Sequence, residues 1–247
     1  KYDPDLWTTT IRPGTIKVKD QNGDGKITEE DKVILGNTVP VLNGGFNISA
    51  YVGGDKWGRF DLTANFTFSW GNKILNLSHM EYTTVTEKSR MRNLISEMDF
   101  ANRYSLFAAD GTYMPSSLSA GKALLFGDDY TAMANALDES NAAKGAKYAS
   151  PIRSHYLVTD RDVEDGSFLR LQNLTIGYTL PKVWLQKVHL NQIRVFVQGT
   201  NLFCATKYTG LDPEVDTRSS KNPLTPGVDF SAYPKSRGIN VGLNIQF

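Results

Sequence analysis

Gly238-Ile239-Asn240-Val241-Gly242-Leu243-Asn244-Ile245-Gln246-Phe247 closes the chain, and its pattern decides the fold. Every odd position from Ile239 to Phe247 is apolar, and every even position from Gly238 to Gln246 is Gly, Asn or Gln. A strand repeats every two residues, so this segment has one greasy face and one polar face. In a sandwich the greasy face meets a second sheet; in a transmembrane barrel it meets lipid, with the polar face turned to the lumen. The aromatic last residue favours the barrel.

The same alternation recurs upstream. Phe46, Ile48 and Ala50 alternate with Asn47, Ser49 and Tyr51, and Gly53-Gly54-Asp55-Lys56 makes a tight turn. The return strand puts Phe60, Leu62, Ala64, Phe66, Phe68 and Trp70 on one face and Asp61, Thr63, Asn65, Thr67 and Ser69 on the other. About ten residues of strict alternation is what a tilted strand needs to cross a bilayer, whereas ordinary strands run to about five or six. Trp57 and Trp70 mark its ends, where aromatic girdles lie. Leu174, Ile176 and Tyr178 carry a third strand, with Leu169 and Leu171 on the opposite parity, which implies a bulge or a segment clear of the membrane. Ile193, Val195 and Val197 carry a fourth, marred by Phe196 on the polar face. The predicted strands are 44–53, 58–70, 172–180, 192–203 and 238–247, so the chain is all-β.

Connections alternate in length. Segments 1–42, 71–166 and 204–235 are long, while 54–57 and 181–191, the latter with a helical turn around Trp184, are short. Bacterial barrels have long extracellular loops and short periplasmic turns. Counting back from a periplasmic end puts all three long segments outside. Within 71–166, the capping box Thr84-Val85-Thr86-Glu87 predicts a helix to about Met98, and a second runs from Asp129 to about Asp138. Tyr82, Tyr104, Tyr113, Tyr130, Tyr148 and Tyr156 are spread through this insertion, as loop packing or as contacts for a ligand.

Composition narrows the functional classes. The 27 basic and 26 acidic residues of the 247 balance, so no nucleic-acid partner is indicated. No apolar run approaches the length of about 18 residues that a membrane helix needs, a criterion that does not touch β-barrels. The single Cys204 forms no internal disulfide. The chain opens on Lys1 with no signal peptide, which reads as a piece of something longer.

One stretch has metal-ligand spacing. Residues 20–31, Asp20-Gln21-Asn22-Gly23-Asp24-Gly25-Lys26-Ile27-Thr28-Glu29-Glu30-Asp31, fit the twelve-residue calcium loop. Asp20, Asn22 and Asp24 supply side-chain oxygens at positions 1, 3 and 5, Lys26 its carbonyl at 7, and Asp31 closes the shell at 12. The alternative is a plain Asx-turn loop. His79, His155 and His189 are isolated, and no nucleophile–His–acid spacing or phosphate loop occurs. The acidic runs 160–165 and 212–216 read as acidic loop surface, so no catalytic residue is assigned and the chain is not expected to be an enzyme.

The chain resembles the C-terminal part of SusC/RagA-family TonB-linked outer-membrane proteins. The resemblance rests on Gly14-Thr15-Ile16-Lys17 through the 20–25 loop and on Glu164-Asp165-Gly166-Ser167-Phe168-Leu169-Arg170-Leu171-Gln172-Asn173-Leu174-Thr175-Ile176-Gly177-Tyr178. It rests also on Gly199-Thr200-Asn201-Leu202-Phe203, Tyr208-Thr209-Gly210-Leu211-Asp212-Pro213-Glu214 and the terminal strand. It implies a 22-stranded barrel around a plug, of which residues 1–247 are the last five strands of one domain and the plug lies upstream. It further implies opening by a TonB energy-transducing complex, a SusD-like surface lipoprotein partner, and import of glycans, oligosaccharides or peptides across the bacterial outer membrane. Phe247 then resembles the signal read by the outer-membrane assembly machinery. The competing reading is a secreted, calcium-stapled β-module for glycan binding or adhesion, which requires a closed hydrophobic core.

Overall fold

The computed structural model describes residues 14, 16, 18–85, 93–105, 130–151, 158–215 and 226–247. They divide into two compact units, one drawn from 1–34 and 78–159, the other from 35–77 and 160–247.

Among the described residues, the second unit holds every strand. β1 (Leu42–Gly54), β2 (Gly58–Trp70), β5 (Phe168–Thr179), β6 (Gln192–Thr206) and β8 (Gly238–Gln246) form one antiparallel sheet in the order β1-β2-β5-β6-β8. Register joins the apolar positions into rows across all five strands. Ile48, Ala64, Leu174, Gly199 and Ile239 make one; Ala50, Leu62, Ile176, Val197 and Val241 the next; Val52, Phe60, Tyr178, Val195 and Leu243 a third. Phe46 stacks on Phe66 with centroids 4.8 Å apart, and Phe66 meets Phe203 edge-on at 6.5 Å, over the buried Leu171 between them. Much of this face stays open: Val52, Ile239 and Val241 are at least 70% exposed. No second sheet covers it among the described residues.

All the short connections lie at one end of the sheet. The turn after β1, the connector after β5 with α3 (Lys182–Leu185), and Phe247 share it. Leu42, Trp70, Phe168, Thr206 and Gly238 mark the other end, from which the long segments leave. Trp57 and Trp184 at the first end and Trp70 at the second are mostly exposed.

β5 begins at Phe168 rather than at 172, and β6 runs on to Thr206. The parity break at Leu169 and Leu171 is a bulge inside the strand. Asn65 faces Asn173 and Phe66 faces Leu171, so Gln172 has no opposite residue on β2. On β6 the register jumps from Phe203 to Thr200 at the same level, with Asn201 in the left-handed region at φ 51°. One extra residue reverses the facing of everything before it.

The long connections contain structure too brief to show in the alternation. β3 (Lys73–Asn76), β4 (Val163–Asp165) and β7 (Val228–Asp229) form a small sheet in the order β4-β3-β7, with β3 and β7 parallel. Ile74, Asn76 and Asp229 are almost wholly buried there.

In the first unit, α2 (Tyr130–Ala143) covers and outruns the second predicted helix. Its Asn141 accepts from the Ser105 N–H at 2.8 Å and donates to the Leu137 and Ser105 carbonyls, beside the fully buried Leu137. Residues 86–92 of the other predicted helix lie outside the described residues. At its ends Thr84 and Val85 are not helical, and only Ser96–Met98 turns, as a 3-10 helix. Thr84 instead packs as a buried residue, and Val85 donates its N–H to the Pro151 carbonyl at 2.6 Å. α1 (Leu77–Tyr82) precedes it.

Candidate functional site

The loop 20–31 closes on itself through backbone amides. Asp20 accepts from the Gly23 N–H at 2.6 Å with one oxygen and from the Gly25 N–H at 2.8 Å with the other. Asn22 accepts from the Asp24 N–H and Asp24 from the Lys26 N–H. Gly23 and Gly25 both stand at φ 79°, a left-handed conformation that suits glycine. Asp31 joins the ends: it accepts from the Gln21 N–H at 2.8 Å and from the Thr28 N–H at 2.7 Å, completing a capping box with Thr28 for the 3-10 helix Glu29–Asp31. Those two bonds, that from Thr28 first, hold the Asp31 carboxyl below the usual carboxylate range. The donor set is rich in oxygen, as calcium requires. Among the described residues, however, no three Asp, Glu, His or Cys side chains converge as a ready cage.

One member of each acidic run departs from the loop surface that composition predicts, while Asp160 and Glu214 remain exposed. Asp162 and Asp212 are buried. Asp212 pairs with the equally buried Arg170 at 2.5 Å, and Glu214 lies 3.2 Å from the same guanidinium. Asp212 also accepts from the N–H groups of Glu214 and Lys235, and Lys235 reaches Glu214 at 2.5 Å. Beside this cluster, Tyr208 donates to Asp229 at 2.6 Å; burial first, and then that carboxylate, push its hydroxyl pKa up. Thr209 donates through both its N–H and its hydroxyl to Glu164, which also accepts from Asn76. Asp165 accepts from the Ser167 hydroxyl and N–H, and these two bonds lower its pKa. Glu164, Asp165, Ser167 and Arg170 belong to one of the motifs that carry the family resemblance and Tyr208, Thr209, Asp212 and Glu214 to another, while Asn76, Asp229 and Lys235 lie outside both. Motif by motif, the sequence gives no hint that they meet.

The polar face of the large sheet has its own order. Its middle rows are uncharged: Asn47, Asn65, Asn173 and Thr200, then Ser49, Thr63, Thr175, Gln198 and Asn240. Toward the short-connection end, Arg194 on β6 forks onto Asp61 on β2, at 3.0 and 2.5 Å. The pair spans β5 at Gly177, where an added Cβ would come within 2.7 Å of both partners. Phe196 is no defect in the pattern. Its ring occupies the space above Gly242, 2.2 Å from where a Cβ there would lie, and the Arg194 guanidinium stands 5.0 Å from its centroid. Gly177 and Gly242, each on the polar face opposite a large side chain, were the available signal.

Of the tyrosines, Tyr104 donates to Asp138 at 2.8 Å, with its pKa raised by burial and by that carboxylate. Gly14 packs on its ring. Tyr113, Tyr156 and His155 lie outside the described residues. His189 takes the left-handed position after the 3-10 helix Gln186–Val188, a structural duty. Phe247 follows β8 and is 84% exposed.

No protein-family model matches the chain. It is 29% identical over 238 residues to the TonB-dependent receptor P3 of Formosa agariphila, covering 95% of this chain and 19% of that protein. It is 33% identical over 91 residues to the TonB-dependent receptor SusC of Bacteroides thetaiotaomicron, 36% of this chain and 8% of that one. In fold it is similar to the RagAB peptide importer in its closed-closed state, with a TM-score of 0.56 at 18% identity over 92% of this chain and 20% of the other. The chain thus spans about one fifth of the length of the first relatives it matches.

Proposed function

We propose, from its homology to TonB-dependent receptors of the SusC type, that this chain is a wall segment of an importer in the bacterial outer membrane. The observation that carries the reading is the set of in-register apolar rows on one face of a five-stranded sheet whose other face is polar. In water that face would leave each Val, Leu, Ile or Phe unburied at about 1.5–3 kcal/mol apiece. Lipid removes the cost, and the polar rows then line an aqueous lumen. A closed barrel needs about eight strands or more, so β1 and β8 pair at their outer edges with strands of the rest of the protein.

The importer takes up oligosaccharides or peptides. It draws on a TonB energy-transducing complex, works with a SusD-like surface lipoprotein, and is inserted by the assembly machinery that reads Phe247. Its relatives are named as receptors, and its work is transport, with no catalytic step. The test is uptake by cells carrying the full-length protein: import of a labelled oligosaccharide or peptide should vanish when TonB is deleted. A full-length protein that folds as a monomer without detergent would overturn the reading and favour the secreted module.

Loop 20–31 takes one calcium ion through Asp20, Asn22, Asp24, the Lys26 carbonyl and Asp31. What supports this is the oxygen spacing together with Gly25, the glycine of position 6, standing in a left-handed conformation. Because these carboxylates also hold backbone amides, affinity falls in the weak range of extracellular modules, about 10⁻⁴–10⁻³ M. Calorimetry showing no heat of binding, or none lost in Asp20→Ala and Asp24→Ala, would remove the ion.

A further inference from the structure

We infer that Arg170 is a positioning residue: aimed by the β5 bulge, it latches the segment between β6 and β8 to the sheet wall. On β5 the even residues Leu174, Ile176 and Tyr178 belong to the apolar rows. In a regular strand, with Gln172 kept in the ladder, Arg170 would fall on that face. Gln172 shifts the parity, so Arg170 aligns instead with Thr67 and Cys204 on the polar face. There its side chain is 5% exposed and finds two carboxylates from outside the sheet, Asp212 at 2.5 Å and Glu214 at 3.2 Å.

Those carboxylates stand on the first arm of the connecting segment, and they also grip the second. Asp212 accepts from the Lys235 N–H at 3.2 Å, and Glu214 pairs with the Lys235 ammonium. Tyr208 on the first arm holds Asp229 on the second. One guanidinium fork therefore ties two arms, already cross-locked to each other, to a strand of the wall. Arg170 hydrogen-bonds Asp212 through one terminal nitrogen while its Nε faces Glu214 as an ion pair without a hydrogen bond, and Lys, a single point charge, cannot reproduce both contacts. The bulge and the charged pair are two parts of one device. The described arms, 207–215 and 226–237, are thereby a fixed brace at the long-connection end of the polar face.

The test uses the full-length protein on intact cells, comparing Arg170→Gln, Arg170→Lys, Asp212→Asn and the Arg170→Gln/Asp212→Asn pair. External trypsin reports the arms, through cleavage at Lys207 and Arg237. Heat-modifiable mobility reports the folded barrel. The latch predicts unchanged mobility with cleavage faster by at least about tenfold in each single Gln or Asn variant, since breaking a buried pair strands its partner. The double variant should be cleaved no faster than the singles, and Arg170→Lys should fall between them and the parent. Unchanged cleavage in a folded barrel would overturn the latch. So would loss of the barrel in Asp212→Asn, since Asp212 lies outside every strand. Failure of TonB-dependent uptake in the parent would count against the importer and leave this comparison readable.

Discussion

The two sheets of this chain are held together in opposite ways. The large one has strands of nine to fifteen residues and rows of like side chains, apolar on one face and polar on the other, the middle polar rows being uncharged. The small one has strands of four, three and two residues, secured by Glu164, Asn76, Thr209, Tyr208 and Asp229. In the first, a repeat makes the structure and most single members are interchangeable. In the second, particular hydrogen bonds make it, and each member is specific.

The sharpest break in that contrast comes from reversing a charge environment. Placing Arg at Ile176, in the middle apolar row, should cost about 2–4 kcal/mol if lipid covers it, whereas Arg at the adjacent Thr175 should cost far less. The fraction of heat-modifiable protein in outer membranes reads both. Equal losses would mean that the two faces see the same surroundings.

Arg170→Ala acts on the specific side of the contrast. It strands Asp212 as a buried carboxylate without its guanidinium, a loss of about 3–5 kcal/mol for a broken buried pair. Chemical denaturation of the purified protein measures it. A neutral substitution would show that the pair does not hold the arms.

Gly177→Ala tests the polar face at one point. The Cβ would intrude on the Asp61–Arg194 fork and should destabilise by about 1–3 kcal/mol, as overpacking does. Gly54→Ala, whose Cβ meets nothing within 4 Å, is the control in the same denaturation series.

The smallest effect belongs to loop 20–31 and depends on pH. The folded pKa of Asp31 is depressed, so its contribution is fully present above its ordinary value of 3.8 and fades as pH falls through the lower, folded value. Protease sensitivity of this loop should stay flat from pH 7 to about pH 4 and rise only below that. Asp31→Asn should abolish the step.

This contrast also explains what could be read in advance. The large sheet was legible because its period of two repeats over many residues, and because a parity error at Leu169 and Leu171 announced the bulge. Its boundaries were less so: the same parity error makes β5 look shorter than it is. The small sheet and the Arg170 cluster were not legible, because their members lie far apart in sequence and carry no period. Asp212 reads as surface until its partner, forty-two positions upstream, is known. Phe196 reads as a blemish until Gly242 is seen opposite it.

The outer edges of β1 and β8 carry one more consequence. Each presents unpaired N–H and C=O groups along its length, since no strand among the described residues lies beside either. Two such edges on one sheet are two sticky ends. Copies of this chain produced alone would zip edge to edge into ribbons, with their greasy faces stacking as they grow. In the importer proposed above, the strands that flank this segment act as its chaperone as well as its neighbours.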